Sequence, residues 1–221
     1  MGQIGRVARL AMLAVAGQSV AYFLTIVLAR QLSVDGFEAY AVASAAFTLM
    51  VMYTPRGLEK YALRILPALF QRQDWALARG YLRFGLRRTV ATSILLGTVT
   101  FLWVKYFSDY PAATKLAIAV SCLSLPAGAL VHYYVEVLSA NGRDILATAI
   151  FRVAVPVTVF ILVGVFLYLP IELSGAIAVG SWGMAWLVML IVIVIMVRRT
   201  TLPDVWRAEP AEDKSAWSSA A

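Results

Sequence analysis

Charged residues divide this chain into long apolar stretches. No charge occurs in Leu10–Ala29, Ala39–Pro55, Thr89–Val104, Leu116–Val135, Val153–Ile171 or Leu173–Val197. A helix crossing a bilayer needs about 20 mostly apolar residues, because each residue advances the helix by about 1.5 Å. Four stretches reach that length as they stand. The third is extended by Tyr81, Leu82 and Phe84, the second by Phe37, and Lys105 can carry its ammonium back to the interface along its apolar stem. The pattern predicts six spans, at about 10–29, 37–55, 84–104, 116–135, 148–169 and 173–197. Arg6 and Arg9 ahead of the first stretch also suit a secretory signal peptide. Its apolar region is too long for one, however, and no small-residue cleavage site leads into a soluble domain, so the first span is read as retained.

Between the second and third spans the period changes. Leu58, Tyr61, Ala62, Ile65, Leu66, Leu69 and Phe70 fall at helical spacing on one face, with Arg56, Lys60 and Arg64 in a basic stripe. The segment 58–80 is therefore expected to be amphipathic and to lie at the membrane surface. Pro67 is expected to kink or end its first helix, and Asp74 to cap a second that runs into span three. That second helix carries Arg79, Arg83 and Arg87 four residues apart, placed to touch anionic headgroups. The tail 201–221 mixes proline, acids, serine and alanine and is expected to be disordered.

Composition supports the membrane assignment: 62% of the residues are hydrophobic and 14% charged, too few polar groups to cover a soluble domain of 221 residues. The formal charge of +7 does not point to nucleic acid, since the cations cluster at the ends of apolar runs. Of the 19 lysines and arginines, only Arg30, Lys105 and Lys115 fall on one side of the six-span arrangement. The excess on the other side predicts that both termini are cytoplasmic. Trp103, Tyr106, Tyr110 and Tyr168 suit an outer aromatic belt. The lone thiol, Cys122, sits in an apolar run and reads as a packing residue.

A charge inside a span is costly and marks an internal cavity or a partner. Arg152 lies about 10 Å into span five by helical rise, after an Asn141-Gly142-Arg143 turn. Either it faces a cavity or it snorkels back to the interface. His132, near Tyr133, Tyr134 and Glu136, reads as an interface residue rather than a proton relay. Gln18 and Ser19 sit mid-membrane, and Gly175, Gly180, Ser181 and Gly183 leave one side of span six narrow. No phosphate-cradling glycine loop and no paired-histidine motif occurs, so neither catalytic residues nor a metal or cofactor is expected.

Several segments resemble a known family. Leu28-Ala29-Arg30-Gln31-Leu32, followed by Asp35-Gly36 and Tyr40, resembles the link between the first two helices of polysaccharide (O-antigen-type) flippases. These belong to the multidrug/oligosaccharidyl-lipid/polysaccharide exporter superfamily. Gly57-Leu58 with Ala62-Leu63-Arg64 is similar to the close of their second helix. Leu138-Ser139-Ala140-Asn141-Gly142-Arg143 is similar to their turn between helices four and five. The family has about twice as many helices, so the resemblance covers an N-terminal lobe. Arg56 stands where many relatives carry an acid.

The resemblance implies transport of a lipid-linked oligosaccharide, a polysaccharide precursor, across the inner membrane by alternating access, with membrane lipids around it. A second lobe or a second copy would complete the cavity. Arg56, Arg64 and Arg152 are the candidate contacts to an anionic substrate, and Arg79, Arg83 and Arg87 the headgroup contacts. The alternative reading is a non-transporting scaffold that keeps the lobe fold. A membrane-embedded transferase has little in its favour, since no carboxylate pair or metal site is visible.

Overall fold

In a computed structural model describing residues 3–55, 57–170, 172–212 and 217, the chain is an all-α bundle with six helices long and apolar enough to cross a membrane. It is a multi-pass membrane protein. Helix α1 covers Gln3–Gln31 and α2 covers Val34–Tyr53. The link between them is two residues long because Ser33 caps α2, accepting a hydrogen bond from the Gly36 amide at 3.1 Å. Helix α3 spans Leu58–Arg72, α4 spans Trp75–Phe107 and α5 spans Ala112–Ala140. A fifth span begins as α6 (Asp144–Thr148), passes through a π-helical turn (Ala149–Ala154) and continues as α7 (Val155–Tyr168). Helix α8 runs from Gly175 to Thr200, and a short α9, Pro203–Arg207, follows.

Helix α5 is the axis of the bundle, packed against α2, α3, α4 and α8. Its residues explain this position: Ala117, Ser121, Ala127, Gly128 and Ala129 are small and buried, so neighbouring helices approach closely. Large apolar side chains on the outer faces of the helices, such as Leu123 of α5 itself (84% exposed), face outward where lipid would lie. The N-terminus of α1, the α2–α3 junction, the α5–α6 turn and the end of α8 gather at one end of the bundle. Arg6 pairs with Asp144 there at 2.7 Å, and Asn141 Nδ2 donates to Thr201 Oγ1 at 2.8 Å. This end carries most of the cations and is called the basic end below. The Asn141-Gly142-Arg143 turn is present, with Gly142 at φ +76° and the Arg143 amide bonded to the Leu138 carbonyl at 3.1 Å.

Four expectations are corrected. The amphipathic periodicity of α3 is real, but its apolar face is covered by protein. Leu58, Ala62 and Leu66 are fully buried where α3 packs on α4 and α5, so the apolar stripe expected to face lipid faces protein. Of the kink or end expected at Pro67, the end does not occur, since α3 continues to Arg72; the missing amide spares only the bond to Leu63, whose residue is exposed. Asp74 stands at the start of α4 but makes no side-chain cap, and only its carbonyl bonds forward to Ala78 at 3.0 Å. The tail is ordered at 203–212 and at 217. Val205 and Trp217 are buried, the Ala211 amide donates to the Ala76 carbonyl at 3.0 Å, and the Trp217 ring lies 5.6 Å from Tyr81 and 5.5 Å from Phe84. Gly80 allows this docking, because any β-carbon there would strike the Ala211 carbonyl.

Candidate functional site: an intramembrane cleft

A cavity of about 760 Å³ lies inside the bundle, within the usual range for small-molecule sites. It runs from Pro55, Lys60, Glu136, Ser139 and Thr148 at the basic end to Tyr40, Ser121 and Val179, past the middle of the helices. Helix α1 leans on α6, the π turn and α7, and meets α2 sparsely. Gly17, Gln18 and Ala21 of α1 and Ser44, Phe47, Thr48 and Met52 of α2 therefore form opposite lips of a cleft. Gln18 and Thr48 are exposed although both lie mid-helix.

The inner wall is built by the π turn. Pro156 has no amide to return to the Arg152 carbonyl, and the ladder widens upstream, with the Val155 amide bonded to Ile150. Gly17 of α1 lies against the Arg152 carbonyl so closely that a β-carbon would overlap it. The pair of features fixes where Arg152 leaves the helix. Its guanidinium sits over the Phe151 ring, 5.5 Å from the centroid. His132 stacks edge-on against Phe151 at 4.6 Å, and Trp186 lies 6.1 Å from His132 and 5.9 Å from Phe151. Above this aromatic wall, the Trp182 Nε1–H donates to Tyr40 Oη at 3.1 Å, tying α8 to α2. The close fit of Gly183 on Ser124 holds α8 against α5 there.

Charge in the cleft is mixed. Lys60 is paired with Glu136. Arg152 forms no ion pair with a described carboxylate. One carboxylate oxygen of Glu59, Oε2, and the indole Nε1 of Trp186 are buried without a hydrogen-bond partner among the described residues. Among the described residues, no group of three His, Cys, Asp or Glu side chains could hold a metal ion.

Of the candidate anion contacts, Arg152 lines the cleft. Arg64 does not; it is exposed on the outer face of α3, because the apolar face of that helix is turned inward. Arg56 lies outside the described residues. The three arginines assigned to headgroups differ among themselves. Arg79 donates to the Ala208 carbonyl at 2.6 Å, and Arg87 lies 3.7 Å from the Glu212 carboxylate, so both engage the docked tail. Arg83 is exposed. His132, read as an interface residue, is a wall residue of the cleft. Glu59, Trp186 and Gln18 were not among the candidate contacts. A glutamate one step from the α2–α3 break, beside Lys60, was the available signal for the first. Neither a protein-family model, nor a curated protein, nor a solved structure matches this chain.

Proposed function

We propose that the chain is one lobe of a lipid transporter of the inner membrane, with both termini cytoplasmic. It takes a phosphate-bearing headgroup into the cleft while the acyl or prenyl tail stays in the bilayer. One observation carries this reading: an arginine without a described carboxylate partner lines a cleft whose two lips are different transmembrane helices. Arg152 is exposed although it lies within a candidate span, and charges so placed commonly face water-filled cavities and mark transport pathways. Guanidinium also presents forked donors that match phosphate oxygens. The resemblance noted in the sequence adds a lipid-linked oligosaccharide as cargo and alternating access as the mechanism. Closing the cleft over the α1 and α2 lips then falls to a second lobe or a second copy in the same orientation, which an even number of spans permits.

The test is reconstitution of the full chain, alone and with any neighbouring-lobe protein, into vesicles containing a phospholipid labelled on its tail. Entry of the label into the leaflet protected from an external quencher, at a rate lost in Arg152→Gln at equal reconstitution, supports the proposal. Equal rates for protein-free vesicles, the wild type and Arg152→Gln contradict it and favour the scaffold alternative.

A further inference from the structure

The charge inventory of the cleft says what kind of headgroup fits. Lys60 and Glu136 satisfy each other. What remains along the same cavity is Arg152, exposed and without a described carboxylate partner, and two buried atoms without a hydrogen-bond partner among the described residues, the donor Trp186 Nε1 and the acceptor Glu59 Oε2. Trp186 is 7% exposed, so water does not serve its Nε1 freely. Buried polar groups without partners are rare because each costs as much as a lost hydrogen bond; of the five such atoms among the described residues, those of Glu59 and Trp186 belong to residues that line the cavity, and those of Thr89, Asn141 and Trp206 do not. A ligand that meets all three must offer acceptor oxygens at one end and a donor cation at the other. The lips add a further condition. They are transmembrane helices that diverge beyond their link, and Val51, Met52 and Val155 on the walls suit the start of an apolar tail.

We infer that the cleft is built for a zwitterionic phospholipid headgroup carrying a primary ammonium, with the phosphate on Arg152 and Trp186 and the ammonium on Glu59. The inference rests on the headgroup-in-cleft reading above and replaces the lipid-linked oligosaccharide with a phospholipid as the headgroup the cleft fits. A pyrophosphate would bring a second negative charge with no further unpaired described cation on the wall, and would lie in one cavity with Glu59. Phosphatidylglycerol supplies the phosphate but offers Glu59 only neutral hydroxyl donors, without the charge of an ammonium.

The experiment is native mass spectrometry of the detergent-purified full chain titrated with phosphatidylethanolamine or phosphatidylglycerol of identical acyl chains. The expected result is retention of phosphatidylethanolamine over phosphatidylglycerol by about tenfold, the size of one charge-assisted hydrogen bond. Glu59→Gln, a neutral isostere, removes that preference and leaves phosphatidylglycerol retention as it was. Trp186→Phe keeps the ring and weakens both lipids, while Arg152→Lys weakens both less than Arg152→Gln does. Matched unfolding temperatures show that each variant is folded; for one that is not, the two-lipid comparison on the wild type decides. Equal or tighter retention of phosphatidylglycerol, or an unchanged preference in folded Glu59→Gln, overturns the inference. Soluble glycerophosphoethanolamine displacing the lipid at equal concentration overturns its lipid component. The transport reading fails separately: selective retention without movement of label in vesicles leaves this site standing and removes the transporter.

Discussion

Two groups of arginines look alike in the sequence and do opposite things in the structure. Arg79 and Arg87 sit on the basic end of α4 and are engaged by the chain itself, through the Ala208 carbonyl and the Glu212 carboxylate. Arg152 sits on a π turn with its guanidinium over an aromatic ring, and no described carboxylate answers it. Helical spacing gives the direction of a side chain but not what lies across from it. Arg79 is met because the tail folds back over Gly80, whereas Arg152 is unmet because α1 and α2 part in front of it. The first group is therefore engaged by the chain itself, and Arg152 has no described carboxylate partner.

The largest effect is expected where the tail is anchored. Trp217→Ala removes a ring that is 2% exposed, and truncations of this kind cost about 3 kcal/mol or more in a packed site. Limited proteolysis should then cut between Arg207 and Trp217 much faster than in the wild type, while lipid retention by the cleft is preserved. Unchanged cleavage would mean that the tail does not anchor there.

Gly17→Ala should rank next. The added methyl collides with the Arg152 carbonyl, and overpacking of this kind costs about 1–3 kcal/mol. Thermal unfolding in detergent should show the loss, with Gly5→Ala, which meets nothing nearby, as the unaffected control. A lost hydrogen bond sets the next step down. Arg79→Ala should cost about 1 kcal/mol, while Arg83→Ala stays within about 0.5 kcal/mol because its side chain is exposed. Equal losses at the two positions would dissolve the distinction between engaged and free arginines. Smallest of all is the stability effect of Arg152→Gln. Neutralising a charge that lacks a protein partner should leave the unfolding temperature unchanged or raise it slightly, although the same variant is expected to abolish headgroup binding.

The six spans were legible because lipid demands long charge-free runs whatever the tertiary structure, and the α5–α6 turn was legible because Gly142 supplies the positive φ it needs. Arg152 stood out in the sequence for the same reason, since a charge in a span requires an explanation, and in the structure it lines the cleft. What covers a face was not legible. The periodicity of Leu58, Ala62 and Leu66 defines an apolar stripe equally suited to lipid or to protein, and only the packing of α5 against it decides. The tail looked disordered by composition, yet Trp217 in a stretch of serine and alanine is the mark of an anchor. The π turn had a signal too: Pro156 stands four residues after Arg152 and strips its carbonyl of an α-helical partner. Glu59 and Trp186 could not be joined from sequence, because they lie on helices far apart in the chain and meet only across the cavity.

The central claim is that a water-accessible cleft enters the bundle between α1 and α2, and two adjacent residues test it directly. Thr48 lines the cavity and is exposed, whereas Leu49, next to it on α2, is 60% exposed and lies outside the cavity lining. With the native thiol replaced as Cys122→Ser, single cysteines are placed at these two positions in reconstituted protein. They are then treated with a charged, membrane-impermeant thiol reagent, which attacks only thiolate formed in contact with water. The account predicts rapid labelling of Thr48→Cys and negligible labelling of Leu49→Cys. Equal reactivity, or the reverse order, would contradict it.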